Sequence, residues 1–404
     1  MAARRGNRYR LPKNGRARSR GTGARVLFAL FLLVAIGVSV VWLFRDLGKT
    51  PRRSPPESFV VPETPAPTTH STGVPEPAPD VRVSTNLLRR EARARETAST
   101  ETPRADQPPA LAWGPDPSWR PRPVTNLLEA QIALATHGIS GGSIDGVGGA
   151  QSAAALRAFQ MKMGLEQTGR LDRETLRELQ LDRPPFAVFV VAPGHLARLV
   201  HIPPTWLAKS RLESLDYESL LEFVAESAHA SPVLVRRINP GVDWNAVNPG
   251  ATLSVPDVRF APARRAARIR VSLAGRHLRA FDEHGGLLAH FPCSIGRIAE
   301  KRPVGSLHVA VVAKDPNYTF DPAVFPESDE GRVLGRRLVI PPGPNNPVGV
   351  AWIGLDRPGY GIHGTPAPEQ VGKTESHGCF RLANWNAEYL RQMAWVGLPV
   401  SVEP

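Results

Sequence analysis

Ser376-His377-Gly378-Cys379-Phe380-Arg381-Leu382, with His363-Gly364-Thr365 a short loop upstream, holds one of only two cysteines among the 404 residues. A thiolate is the reactive form of cysteine, and a neighbouring imidazole can take the proton from a thiol that is mostly protonated near neutral pH. Glycines at 364 and 378 allow substrate and backbone to approach closely. The pattern therefore predicts a nucleophilic cysteine activated by histidine.

The segment from His363 to Asn384 resembles the active-site signature of the L,D-transpeptidase (YkuD-like) catalytic domain. It has the leading His-Gly-Thr, a loop containing Gly372, Ser-His-Gly-Cys, a bulky apolar residue and Arg-Leu. The resemblance extends from about Arg268 to the C-terminus and includes the prolines and asparagines of 341–347. The family usually has Thr-Pro-Thr-Gly where this chain has Arg-Pro-Val-Gly at 302–305, so the contacts there are expected to differ.

The resemblance implies a role for each residue of the signature. Cys379 is expected to be the nucleophile, His363 the proton donor and acceptor, and His377 a supporting residue. The Gly364 carbonyl would orient the His363 imidazole, and backbone N–H groups from 377 to 379, including that of Gly378, would form an oxyanion hole. The remaining candidates are the substrate-binding residues Arg381 and Ser376.

Alternatives stay open at several of these positions. A guanidinium matches a substrate carboxylate, but Arg381 equally fits a structural ion pair. Ser376 and Asn384 also fit a role in holding the loop through hydrogen bonds. Trp352 and Tyr360 are interpreted as core or as pocket wall.

The implied reaction is a two-step acyl transfer on peptidoglycan. The thiolate would attack the carbonyl of the third residue of a tetrapeptide stem, and the terminal D-amino acid would leave. The side-chain amine of a diamino acid in another stem, or a lysine of an outer-membrane lipoprotein, would then resolve the thioester. Water as acceptor would make the protein an L,D-carboxypeptidase with the same active site. An alternative from another class is a non-catalytic wall-binding scaffold protein.

Metal and redox roles are weaker interpretations of the same residues. His363, His377 and Cys379 could ligate zinc, but the sequence has no fourth ligand beside them, so we expect no metal and no cofactor. The second cysteine, Cys293, follows a strand-like stretch and is interpreted as a small buried hydrophobe. A redox lock between Cys293 and Cys379 would require their Cα atoms to lie within about 7 Å.

The net charge of +13 is concentrated at the N-terminus. Residues 1–25 form a basic arm with nine Arg or Lys and no acid, and no nucleic-acid recognition motif accompanies it. An uncharged apolar run at 26–44 is long enough to cross a bilayer. We therefore predict a single-pass anchor in the bacterial inner membrane, with a cytoplasmic N-terminus, a periplasmic catalytic domain and no nucleic-acid partner. A cleaved signal peptide is the alternative.

The rest of the chain divides by composition and pattern. Residues 45–123 are Pro-rich and predicted to be a disordered linker. Residues 124–183 show three helical segments and resemble a small peptidoglycan-binding domain, through an Asp-Gly turn at 145–146, an Ala-x-x-x-Phe-Gln helix at 155–160 and a Thr-Gly-x-Leu-Asp end at 168–172. Asp172 is a candidate N-cap for the last helix.

Residues 186–258 have an α+β pattern and are similar to a degenerate LysM-like module. The similarity rests on Asn-Pro at 239–240 and on a Gly-x-x-Leu-x-Val-Pro ending at 250–256. Residues 266–404 alternate at period two, with hairpin turns at 275–276 and 283–286 and one clear helix near the C-terminus. The fold class is therefore multidomain, with a mostly-β catalytic domain built as a sandwich or barrel.

Overall fold

The computed structural model describes residues 118–325, 327–374 and 378–404. The basic arm, the predicted span at 26–44 and nearly all of the predicted linker lie outside these ranges. Within the described ranges, no helix is both long and apolar enough to cross a membrane.

The helical region, residues 122–181, begins with a short strand and contains three helices. Asn126 caps the first helix by accepting a hydrogen bond from the Glu129 N–H, and Asp172 caps the third by accepting from the Thr175 N–H, which confirms the predicted N-cap. The side chain of Gln160 is fully buried and ties the second helix to the turn before the third, accepting from the Gly169 N–H at 2.8 Å. The elements are β1 (Arg122–Pro123), α1 (Leu127–Thr136), α2 (Ala150–Lys162), α3 (Arg173–Glu178) and β2 (Gln180–Leu181).

The middle region, residues 186–258, contains two paired antiparallel strands with four helices between them in the sequence, as the α+β pattern predicts. Asn239 joins the last helix to the last strand, because its amide donates to the Ser254 carbonyl and its carbonyl accepts from the Ser254 N–H. The elements are β3 (Phe186–Val190), α4 (Pro193–Ala197), α5 (Trp206–Lys209), α6 (Leu220–Ser227), α7 (Pro232–Ile238) and β4 (Thr252–Pro256).

The helical and middle regions share a single hydrophobic core. Phe159 from α2, Leu234 from α7 and Leu253 from β4 belong to one buried cluster. The same cluster includes Phe281 and Leu287 from residues 266–404, the predicted catalytic region. Segments as short as these bury little apolar surface alone, so merging their cores stabilises both.

The strands of the catalytic region are β5 (Arg268–Ser272), β6 (His277–Phe281), β7 (Leu287–Pro292), β8 (Gly305–Lys314), β9 (Tyr318–Phe320), β10 (Leu338–Ile340), β11 (Ala351–Leu355), β12 (Gly361–His363), β13 (Phe380–Arg381) and β14 (Pro399–Glu403). Eight of them form one sheet in the order β13-β12-β11-β8-β14-β5-β6-β7. The pairs β12–β13 and β5–β14 are parallel, and the other neighbours are antiparallel. The two ends of the sheet meet where Ser294, just after β7, exchanges two backbone hydrogen bonds with Arg381 in β13.

Two helices accompany this sheet, α8 (Asp329–Leu334) and α9 (Asn384–Met393). The long C-terminal helix is the one that the sequence predicts, and it packs against β11. The short α8 was not predicted, because six residues are too few to show a helical period. It lies in the segment between β9 and β10, where Trp206 of α5 stacks on Phe320 at 4.5 Å between ring centroids.

Candidate active site

His363 ends β12 with its side chain buried. Its Nδ1 lies 2.6 Å from the Gly364 carbonyl oxygen, and since a carbonyl only accepts, Nδ1 carries the proton and Nε2 presents a lone pair. Trp352 on β11 stacks on the ring at 5.6 Å between centroids. Burial lowers the pKa of His363 to about 4, although the Gly364 bond opposes the shift. The imidazole is therefore neutral at neutral pH and able to accept a proton.

Strand pairing places the backbone that follows the cysteine beside the strand of this histidine. In the parallel β12–β13 pair, Ile362 is opposite Phe380 and His363 is opposite Arg381. The Leu382 N–H donates to the His363 carbonyl at 2.8 Å, which continues the pairing past β13. Cys379 directly precedes β13, the strand that is paired with the strand of His363.

The Cys379 thiol is half-buried, with Sγ 3.4 Å from the Gly359 carbonyl oxygen. Burial raises its pKa to about 11, while a backbone hydrogen bond from Gly361 and the charge of Arg381 act in the opposite direction. Both the thiol and the imidazole are thus neutral at rest. A thiolate here would form as the proton moves to the base, which suits nucleophilic attack coupled to proton transfer.

The positive charge of Arg381 acts on all of these groups. Its charge lowers the pKa values of Cys379, Cys293 and His363, and burial in turn lowers the pKa of its own guanidinium. A positive charge at this position favours the thiolate over the thiol. The choice between carboxylate binding and a structural ion pair stays a prediction.

Gly378 occupies a place where a side chain does not fit easily. A Cβ at this position would lie 3.2 Å from the Tyr360 ring, and a Cβ on Gly296 would lie 3.1 Å from the Gly378 Cα. Tyr360 therefore forms a wall against the backbone that precedes the cysteine. The close approach explains the glycine, independently of the predicted oxyanion role of the Gly378 backbone.

Two of the predicted site residues, Ser376 and His377, lie outside the described residues. Among residues 118–325, 327–374 and 378–404, no group of three or more His, Cys, Asp or Glu side chains could hold a metal ion. The zinc alternative included His377, so this finding concerns only its other members.

The second cysteine is a core residue. Cys293 is buried among the apolar side chains of the sheet, its Sγ lies 3.3 Å from the Ser294 carbonyl oxygen, and burial raises its pKa. No disulfide joins the two cysteines. The interpretation of Cys293 as a small buried hydrophobe is confirmed.

Two residues near the site were missed in the sequence. Tyr318 on β9 is close enough for the Cys379 charge to raise its pKa further, beyond the effect of burial. Glu226 on α6 accepts hydrogen bonds from Asn384, which begins α9. Neither lies near the signature along the chain, and no local pattern marks them.

Comparison with known proteins agrees with the resemblance. The YkuD family, described as an L,D-transpeptidase catalytic domain, matches residues 266–402, and a putative peptidoglycan binding domain matches residues 124–179. A putative L,D-transpeptidase YkuD from Bacillus licheniformis is 29% identical over 184 residues, which are 46% of this chain and 93% of that protein. The probable L,D-transpeptidase YbiS of Escherichia coli is 29% identical over 182 residues, covering 45% of this chain and 58% of the relative.

Among solved structures, L,D-transpeptidase 3 from Mycobacterium tuberculosis is similar at 19% identity, with 39% of this chain and 76% of that chain covered and a TM-score of 0.28. A likeness this low supports no conclusion alone, and the chain spans little more than half of the Escherichia coli relative. The family matches carry the assignment: residues 124–179 are similar to a putative peptidoglycan binding domain, and residues 266–402 are an L,D-transpeptidase domain of the YkuD type.

Proposed function

We propose that the chain is a cysteine-dependent L,D-transpeptidase that acts on peptidoglycan tetrapeptide stems through a thioester on Cys379. The observation that carries the proposal is the neutral His363 imidazole, held through Nδ1 by the Gly364 carbonyl, on the strand beside the cysteine. This is the arrangement of nucleophile, base and orienting acceptor that activated thiols require.

The first half-reaction acylates the enzyme. His363 Nε2 takes the thiol proton as Sγ bonds to the carbonyl carbon of the third stem residue, which gives a tetrahedral intermediate. The peptide C–N bond then breaks, the imidazolium returns the proton to the leaving amine, and the terminal D-amino acid departs. Nδ1 keeps its hydrogen bond to the Gly364 carbonyl throughout. This bond fixes the ring orientation and stabilises the transient positive charge of the imidazolium.

The second half-reaction transfers the acyl group. An acceptor amine attacks the thioester carbon and gives a proton to His363, and the C–S bond breaks. The released thiolate takes that proton back. The acceptor is the amine of a diamino acid in another stem, for a crosslink, or a lysine of a lipoprotein, for protein attachment. Water in its place makes the protein an L,D-carboxypeptidase.

The remaining parts of the chain fit a wall substrate. We propose that residues 26–44 anchor the protein in the inner membrane with the catalytic domain on the periplasmic side, and that the Pro-rich linker tethers it. The peptidoglycan-binding domain, with residues 186–258 as a LysM-like module, would raise the effective concentration of enzyme at the polymer.

The test is adduct formation by the purified full-length chain in detergent. Incubation with disaccharide tetrapeptide is expected to add the mass of the acyl group to wild type and to Cys293→Ala, but not to Cys379→Ala. Absence of an adduct on wild type would favour the scaffold alternative, and an adduct on Cys379→Ala would remove the nucleophile assignment. Addition of a diamino-acid amine then separates transfer, which yields a crosslinked product, from hydrolysis.

A further inference from the structure

We propose that Glu226, in the middle region, is a positioning residue for His363 that acts through Asn384 and the Gly364 peptide. The inference rests on the proposed function and assigns part of the catalytic geometry to a segment outside the family match. It makes residues 186–258 a structural support of the active site, whatever they bind in the wall.

The first link joins α6 to the start of α9. Asn384 Nδ2 donates to both carboxyl oxygens of Glu226, at 3.1 and 3.2 Å, and to the Pro344 carbonyl at 3.1 Å. Asn384 is almost entirely buried. Its amide is therefore fixed by three acceptors, two of which belong to a residue 158 positions away along the chain.

The second link joins Asn384 to the Gly364 peptide by packing. Its Oδ1 lies against the backbone of Gly349 and Gly364, so closely that a Cβ built on either glycine would overlap it. The two glycines also pack on each other, since a Cβ on Gly349 would lie 2.8 Å from the Gly364 Cα. The Asn384 amide cannot move toward this peptide without displacing it.

The third link is the hydrogen bond already described, from His363 Nδ1 to the Gly364 carbonyl. The N–H of Gly364 is held less tightly, by the Ala351 carbonyl at 3.3 Å. The peptide that orients the imidazole thus depends on packing against Asn384 for part of its position. A shift of about 1 Å in a positioned group can cost about 100-fold in rate.

The carboxyl group of Glu226 sits among other polar and acidic groups. The residue has some surface in solvent, but its carboxyl is enclosed, and burial raises its pKa to about 8. Glu222 and Glu369 raise it further, while the bonds from Asn384 and Tyr217, whose hydroxyl is 3.3 Å from Oε1, lower it. A glutamine would keep an acceptor for Asn384 here, whereas an alanine would leave its amide with the Pro344 carbonyl alone.

Glu222 provides a matched control on the same helix. Its Oε1 accepts from Asn345 Nδ2 at 2.6 Å, so it also joins α6 to the catalytic region. Its Oε2 accepts from the Glu218 N–H, and within the described part of the chain it has no hydrogen bond to Gly364 or Asn384. A variant that only loosens the contact between the regions should behave alike at either glutamate. A positioning role should appear at Glu226 alone.

The experiment combines ¹⁵N-histidine NMR with single-turnover acylation, on the full-length chain in detergent. The His363 resonance, assigned by its loss in His363→Gln, is expected to report an Nδ1-protonated ring in wild type, Glu226→Gln and Glu222→Ala. In Glu226→Ala we expect a mixture of tautomers and an acylation rate lower by about 10- to 100-fold, with substrate KM changed less than about threefold.

An unchanged His363 tautomer in Glu226→Ala would overturn the inference, and so would equal effects of Glu226→Ala and Glu222→Ala. Thermal unfolding of each variant identifies any that fail to fold, in which case Glu226→Gln and Asn384→Ala supply the comparison. If wild type forms no adduct but its tautomer depends on Glu226, the proposed function fails and the positioning role stands.

Discussion

The helical and middle regions share one core but meet the catalytic region in different ways. The helical region contacts the sheet edge mainly through backbone, where Gly138 and Ser140 exchange hydrogen bonds with His290 of β7 at 3.0 and 2.8 Å. Its side-chain contacts include Gln151, whose amide donates to the Val371 carbonyl at 2.6 Å, and Met161, whose sulfur accepts from Arg279 at 3.9 Å. A cavity of about 190 Å³ remains beside it, between α2 and the β6–β7 edge.

The middle region contacts the loops behind His363 through polar side chains as well as backbone, since Leu215 exchanges backbone hydrogen bonds with Pro342 and Asn345 at 2.8 and 2.9 Å. Asn345 donates to the Asp216 carbonyl and to Glu222, and Gly343, at φ 141°, packs so closely on the Leu215 backbone that a Cβ would overlap it. Of the two regions, the one that matches a wall-binding family is attached at an edge, and the other supports the base. Sequence resemblance to a binding module therefore does not show where a segment acts in the fold.

The largest effect should come from Gly364→Ala, which tests the support of the base directly. The added methyl overlaps Asn384 Oδ1, so the carbonyl that holds His363 must move, and we expect acylation to slow by about 100-fold. Single-turnover mass spectrometry measures the rate. Gly194→Ala, at a middle-region glycine with open space around it, is the control and should leave the rate unchanged.

Asn345→Ala should weaken the attachment of the middle region. The substitution leaves the Asp216 carbonyl and Glu222 without this donor, so the free energy of unfolding should fall by about 1–3 kcal/mol. Urea denaturation measures the change. The exposed Asn248→Ala should stay within about 0.5 kcal/mol of wild type. Equal values for the two variants would mean that this contact does not stabilise the fold.

Gln151→Ala should have a smaller effect on the attachment of the helical region. It removes one hydrogen bond to the Val371 carbonyl beside an existing cavity, so we expect a loss of about 1 kcal/mol in urea denaturation. The acylation rate should change less than in Gly364→Ala, because residue 371 lies on the loop between His363 and Cys379 and not behind His363. A larger loss of acylation rate in Gln151→Ala than in Gly364→Ala would mean that the active site depends more on the helical region than on the middle region.

The dependence of stability on pH also separates the two regions. The hydrogen bond from Arg122 lowers the pKa of Glu129 in the helical region to about 2, so its stabilisation is complete above the unfolded pKa near 4.5 and is lost as pH falls toward 2. Burial raises the pKa of Glu226 to about 8, so the folded state holds a proton that the unfolded state releases, and stability falls as pH rises from 4.5 to 8. Urea denaturation at a series of pH values measures both slopes. Glu129→Gln should remove the slope at acidic pH, and Glu226→Gln should remove the slope between pH 4.5 and 8.

Local patterns in the sequence predict much of the catalytic fold. Period-two alternation locates β5, β6 and β7, and the turns at 275–276 and 283–286 join them as expected. The pairing of β12 with β13, and the bridge between Ser294 and Arg381 that joins the ends of the sheet, are contacts between distant segments that no local period encodes.

The same distinction holds at the site. Cys379 and His363 stand out because thiol chemistry needs both residue types in a short, glycine-rich stretch. Glu226 carries no such mark, since an acid on an amphipathic helix ordinarily faces solvent. Asn384, its partner, stands at the end of the signature and was predicted only to hold the loop. Only the packing of the middle region against the loop at 341–347 turns that acid toward the active site.

The contrast between the two sulfurs makes the native chain its own reporter. A fluorophore or affinity tag with a thiol-reactive group should attach at residue 379 alone, since the sulfur of residue 293 is sealed inside the sheet core. No engineered replacement is needed to label the site. A second equivalent of tag would appear only when the core opens, so labelling stoichiometry records occupancy of the site and integrity of the fold in one measurement.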